Sequence, residues 1–177
     1  AYPHRVGIGF AAGALPVDFE LAEVPFDEKN ARFKSSLPWI VNTLRGIAED
    51  PIAKDLAIKQ CKLQPIPIAI AAQSAEACRR AAKLNAGILF DSLQSPEVSK
   101  KLSSAYREAG GNGPIILIRR VWIGSPPASK IQAQMEHYHS YASDQAKANW
   151  IEGDSTVLGQ NGAQAAERLI EILHTSG

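Results

Sequence analysis

Two cysteines and no long apolar run are found among the 177 residues, and neither sign of charge dominates. Cys61 and Cys78 have no metal-ligand spacing and are too few for a disulfide framework, so they read as reduced thiols of a cytoplasmic protein. With 19 basic against 18 acidic residues the net charge is +1, which argues against a large nucleic-acid footprint. The densest basic run, "CRRAAK" at 78–83, is what a solvated helix face looks like. No stretch approaches the ~18 apolar residues of a membrane span, and no signal-peptide pattern opens the chain. The first residue is Ala1 rather than Met, which fits processing or truncation. Catalytic patterns are scarce as well. No Ser-His-Asp order, phosphate-loop lysine or carboxylate pair rises above background. His137 and His139, two apart on a helix, point in nearly opposite directions and cannot share a metal ion in the usual way.

What is present is the composition of a soluble globular protein, 45% hydrophobic and 21% charged, with length for one domain spanning 1–177. Strand-like runs alternate with helical ones. Strands are expected at 5–10, 65–72, 86–90 and 115–123. Helical spacing places Phe33, Leu37, Ile40, Leu44 and Ile47 on one stripe of 29–47, with a break or restart at Ser36–Pro38. A short helix is expected within 49–60, and Ser74 caps another over 75–84. The clearest helix opens with Ser95 as cap and Pro96 in its first turn, sets Val98, Leu102, Ala105 and Ala109 on one face, and stops at Gly110. Two more cover about 128–143, with Ile131, Met135, Tyr138 and Ala142 aligned, and about 163–174, burying Ala166, Leu169 and Leu173. The β-to-β steps point to parallel strands with right-handed crossovers, and their apolar runs to a sheet covered on both faces. An open doubly wound sheet and a piece of a barrel both fit. Residues 10–28 form the longest stretch without a clear element, and such a loop usually has a task.

The opening "RVGIGFAAGALPVDFE" carries Gly7, Gly9 and Gly13 but is not a dinucleotide fingerprint. That motif needs a helix opening inside the glycines and an acidic strand end about 20 residues on. Here Pro16 and Pro25 interrupt the segment, and helical periodicity starts only near Lys29. Two readings remain: glycines that permit tight packing, or a strand end close to a flat ligand.

"RVGIGFAAGALPVDFELAEVPFDEKNARF" resembles the glycine-rich strand, "DF", "V-P-F-D" and arginine-bearing helix of the bacterial luciferase-like monooxygenase family. "PIPIAIAAQSAEACRRAAKLNAGILFDS", "GPIILIRRVWIG" and "VLGQNGAQAAERLIEIL" resemble, in order, its next strands and late helix. The resemblance implies an α/β fold, a parallel (βα) barrel with a flavin or deazaflavin at the C-terminal ends of its strands, and redox chemistry on a small substrate. It also implies that the chain runs from the family's fourth strand to its last helix. Since such a barrel takes about 250 residues, a partial barrel is expected here. It would be either a fragment of a longer enzyme or a part-barrel whose open edges need a second copy or a partner chain.

Candidate site residues follow. The strand ending at Ala72 leads into a helix of small residues from Ser74, a natural anion site through free N–H groups and the helix dipole. The same Ser74 also serves as an ordinary N-cap. By resemblance Gln73, Ser74 and the amides of Ala75 and Glu76 meet the cofactor phosphate, although the Glu76 carboxylate competes with an anion there. The family places an arginine on the helix after its fourth strand, here Arg32, which is otherwise a surface residue. Phe10 matches a position that is arginine in some luciferases, so one charge-assisted contact is missing. Asp91 and Ser92 end the third strand, at the flavin edge or as a turn-forming pair. Alternation sends Arg119 to one face and Arg120 with Trp122 to the other, one arginine lying inside the barrel or at a chain contact. The expected activity is that of a flavin- or deazaflavin-dependent oxidoreductase, the cofactor being FMN or a deazaflavin. The rival is a non-catalytic flavin-binding or structural part-barrel that dimerises.

Overall fold

A computed structural model describes residues 5–151 and 156–176. In chain order these form β1 (Ile8–Phe10), α1 (Pro16–Leu21), α2 (Lys29–Thr43), α3 (Leu56–Leu63), β2 (Ile68–Ala71), α4 (Ala75–Lys83), β3 (Gly87–Phe90), α5 (Pro96–Glu108), β4 (Ile115–Leu117), β5 (Arg120–Ile123), α6 (Ala128–Tyr141), α7 (Asp144–Ala148), β6 (Thr156–Gly159) and α8 (Gly162–Ser176). Short 3-10 turns precede α2 and α3. Strands β1 to β4 make one parallel sheet in sequence order, and β5 pairs in parallel with β6. The fold is therefore α/β with parallel strands, and among the described residues the sheets do not close into a barrel.

The register sorts side chains by size. Phe10 pairs with Ile70, Ile70 with Ile88 and Ile88 with Ile115, so one face carries these residues together with Ile68, Phe90 and Leu117. Their partners in the buried cluster are Leu37 and Val41 of α2, Ala77, Cys78, Ala81 and Ala82 of α4, and Leu102 and Tyr106 of α5. The opposite face carries Gly9, Ala69, Ala71, Gly87, Leu89 and Ile116, where Gly9 and Ile116 are exposed. The helices of the buried cluster thus cover one face, where the apolar strand runs suggest two. Small residues make those runs apolar without requiring a second helical layer.

Several expectations need correction. The helix at 29–43 runs unbroken through Pro38. A proline inside a helix costs about 3 kcal/mol, and the complete burial of Leu37 and Val41 on either side holds this segment helical. The strand expected over 115–123 divides in two. Ile118 still donates to the Phe90 carbonyl, but β3 ends there, and the Arg119 guanidinium folds back onto the Ile118, Asp91 and Gln94 carbonyls. The chain then takes β6, which periodicity did not reveal, as its new partner. Helix α8 buries Ala165 rather than Ala166, and Leu173 is exposed. A Cβ at Gly159 would meet the Ala165 backbone at 2.7 Å, so this close approach sets the rotation of α8. Residues 10–28 contain α1, opened by Pro16, and an edge-to-face pair, Phe19–Phe26, with centroids 5.2 Å apart.

The face of α5 also buries Ser99, Ser103 and Tyr106 besides Leu102. The Tyr106 hydroxyl donates to the Ala86 carbonyl and accepts from the Gly113 amide, both at 2.8 Å. It ties the entries of β3 and β4 together. Tyr106→Phe removes both bonds and leaves two polar groups unpaired, so a loss of ~1–3 kcal/mol is expected in urea unfolding. An unchanged midpoint would show that the hydroxyl is replaceable.

Candidate functional site: the C-terminal edge of the parallel sheet

Because β1 to β4 are parallel, their C-terminal ends gather at one edge, and the segments beginning at Ala72, Asp91 and Ile118 lie side by side. Polar side chains here are interlocked. Asp91 Oδ1 accepts the amides of Leu93 (2.8 Å) and Gln94 (2.9 Å), the geometry of an Asx turn. Its Oδ2 accepts Gln73 Nε2 at 2.8 Å. The Gln73 carbonyl accepts Asn149 Nδ2 at 3.3 Å. Arg119 Nη1 donates to the Asp91 carbonyl and Nη2 to that of Gln94, both at 3.2 Å. The stretch around Asn149 is itself laid along residues 93–95, with Ser95 N donating to Asn149 O and Ile151 N to Leu93 O.

Helix α4 opens at this edge. Ser74 Oγ accepts the Ala77 amide at 3.2 Å, a standard N-cap. The amides of Ala75 and Glu76, in the first turn, have no intrahelical acceptor. Glu76 binds Arg80 Nη1 at 3.1 Å and Lys34 Nζ at 3.3 Å. These cations, Lys34 foremost, hold its carboxyl below the ordinary 4.5.

Of the residues singled out from sequence, Gln73, Ser74, Glu76, Asp91 and Ser92 come to this edge. Phe10 does not face it: its ring is on the helix-covered face, packed against the buried cluster. Ala72 is completely buried in that cluster, so only its backbone belongs to the edge, and Ala75 also packs against the cluster. Arg32 is exposed and bonded through Nε to Glu28 Oε2 at 2.7 Å; the α2 cation that reaches the α4 terminus is Lys34. Asp91 is engaged by three donors and organises the loop. Arg119 and Arg120 do diverge, but Arg119 lies in the break between β4 and β5 rather than on one continuous strand with Arg120, which meets Gln134 and Met135 of α6. Burial lowers the Arg119 guanidinium, opposed by Asp91, and burial likewise lowers Arg120. Sequence reasoning passed over Gln94, Asn149 and Lys34. Asn149 and Gln73 are 76 positions apart, and no local pattern announces such a pair.

Two other features carry little chemistry. A depression of about 460 Å³ bordered by Pro51, Ile52, Asp55 and Ile58 offers one carboxylate, already capping α3. Burial pushes the Cys78 thiol up to about 11, so it is no nucleophile at neutral pH. Among the described residues there is no cluster suited to a metal ion and no helix long and apolar enough to cross a membrane.

The Glu76 contacts make a testable statement about charge. A folded-state pKa below the unfolded one gives a contribution present above about 4.5 and lost as pH falls through the lower folded value. Carboxyl carbon NMR should show Glu76 titrating below 4.5, and Lys34→Met should move the midpoint up towards it. A midpoint indifferent to Lys34 would remove the ion pair from the account.

A family model for the luciferase-like monooxygenases matches residues 1–173, nearly the whole chain. None of the curated proteins compared with it matches. The family match implies a TIM-barrel-like α/β fold, in keeping with the parallel strands, and suggests flavin-dependent oxidoreductase activity. The chain belongs to the luciferase-like monooxygenase family.

Proposed function

We propose that the chain is a single-domain (βα)-barrel segment of a luciferase-like oxidoreductase, a cytoplasmic monooxygenase that works with FMN or a deazaflavin on a small organic substrate. The observation that carries this reading is the helix start at Ser74, set beside the ends of β2 and β3 in a chain of this family. The residues there suit a phosphate-bearing ring system. The amides of Ala75 and Glu76 and the Ser74 hydroxyl are donors for the phosphate at the positive end of a nine-residue helix. Glu76 opposes an anion, and Lys34 and Arg80 offset it. On the face away from the helices Gly9 is exposed and Ala71 half-buried, and their small size leaves room for a flat ring to approach the backbone there, whereas Ala69 and Gly87 are buried.

A bound flavin or deazaflavin would supply the redox step, while the protein supplies orientation and access. The chain's own part is to grip the phosphate at α4, to fix the edge through the Gln73–Asp91–Arg119 linkages, and to offer an apolar wall at Leu89 and Ile116. Ile116 and Ile118, more than 40% exposed on or beside that wall, support a further chain packed there, a second copy or a partner that completes the barrel. The same exposure favours the second reading, a flavin-binding part-barrel without catalysis. That protein would retain the cofactor yet never oxidise its reduced form in response to any small substrate.

Ser74→Asp tests the phosphate site without removing the helix cap, because aspartate caps as well as serine. FMN should bind at least about ten-fold more weakly, a loss of ~1.4 kcal/mol, while riboflavin, which lacks the phosphate, should be little affected. Equal losses for both ligands, or none, would place the phosphate elsewhere. Failure of the unaltered protein to bind either FMN or a deazaflavin would overturn the reading.

A further inference from the structure

We infer that Asp91 is a positioning residue that fixes the amide of Gln73, so that Gln73 offers its Oε1 to a hydroxyl of the cofactor's ribityl chain rather than a donor to the phosphate. This rests on the cofactor site proposed above. A carboxylate only accepts hydrogen bonds. Asp91 Oδ1 is taken by the Leu93 and Gln94 amides, and Oδ2 meets the Gln73 side chain at 2.8 Å. The group facing Oδ2 must therefore be the Gln73 Nε2, and the amide cannot turn over without setting oxygen against oxygen. Its Oε1 is left as the acceptor on an exposed side chain at the strand edge. The Gln73 backbone is held as well, its carbonyl accepting from Asn149. A phosphate oxygen is also an acceptor and gains nothing from Oε1. Gln73 comes one residue before Ser74, so with the phosphate on the first turn of α4 the next group along the cofactor is the ribityl chain, rich in hydroxyl donors.

The inference predicts an unusual pattern among charge and polarity exchanges. In Asp91→Asn the new side-chain oxygen still takes the Leu93 and Gln94 amides, while its NH₂ replaces Oδ2. The Gln73 amide then turns over, keeps a bond to position 91 and offers its NH₂ outward. Adding Gln73→Glu restores an outward oxygen, keeps a bond from position 91 and returns the pair to its original net charge. FMN and a deazaflavin coenzyme are titrated against the unaltered protein, the single variant and the double variant, each followed by cofactor fluorescence and thermal unfolding. The expected result is a roughly ten-fold weaker affinity for Asp91→Asn, together with a lower melting temperature because the carboxylate that offsets the burial of Arg119 loses its charge, and recovery of most of the affinity in Asp91→Asn/Gln73→Glu. Unchanged affinity in the single variant would overturn the inference and leave the cofactor site standing. No recovery of affinity in the double variant would overturn the inference and reduce the pair to a loop tie. Absence of binding by the unaltered protein would remove the cofactor site and the inference with it.

Discussion

The packing of one sheet face against α2, α4 and α5 is the constraint on which the rest depends. Register places every large strand residue of the first four strands, from Phe10 through Ile70, Ile88 and Phe90 to Leu117, towards these helices, except Leu89 and Ile116. Burial of such side chains contributes roughly 1.5–3 kcal/mol each, and a one-residue slip of any strand would turn it the wrong way. The same register leaves glycine and alanine on the other side. Parallel strands then deliver all their C-terminal ends to one edge. The candidate site is thus a consequence of how the core is sorted.

At that edge the polar groups mainly hold one another. Asp91 serves two backbone amides and one side chain, Arg119 joins three carbonyls, and Asn149 anchors Gln73 from a distant part of the chain. Such mutual satisfaction keeps buried and half-buried polar groups from losing hydrogen bonds they had in water. The atoms proposed to meet the cofactor are those this network leaves over: the first-turn amides of α4, the Ser74 hydroxyl and the outward oxygen of Gln73.

Much of this was legible in the residues themselves. Caps at Ser74 and Ser95, the proline opening α5 and the apolar runs of β2 and β3 are local signals, and the elements appear where those signals put them. Order and spacing of motifs identified the family. What local pattern could not supply was set by tertiary packing. Pro38 stays helical because its neighbours are buried, β4 and β5 separate because β3 ends at Phe90, and α8 rotates by one residue to bring Ala165 against Gly159. Site residues divide in the same way. Ser74 is announced by its own helix, whereas Arg32 and Phe10 were carried over by position and turn out to lie on an exposed helix surface and in the core packing.

Amide-resolved NMR during an FMN titration tests the central claim most directly. The account predicts that the largest shifts fall on the backbone amides of Ser74, Ala75 and Glu76 and on the Gln73 side-chain amide, with α3 and its neighbouring depression unmoved. Shifts concentrated around Pro51–Ile58, or none at the start of α4, would contradict it.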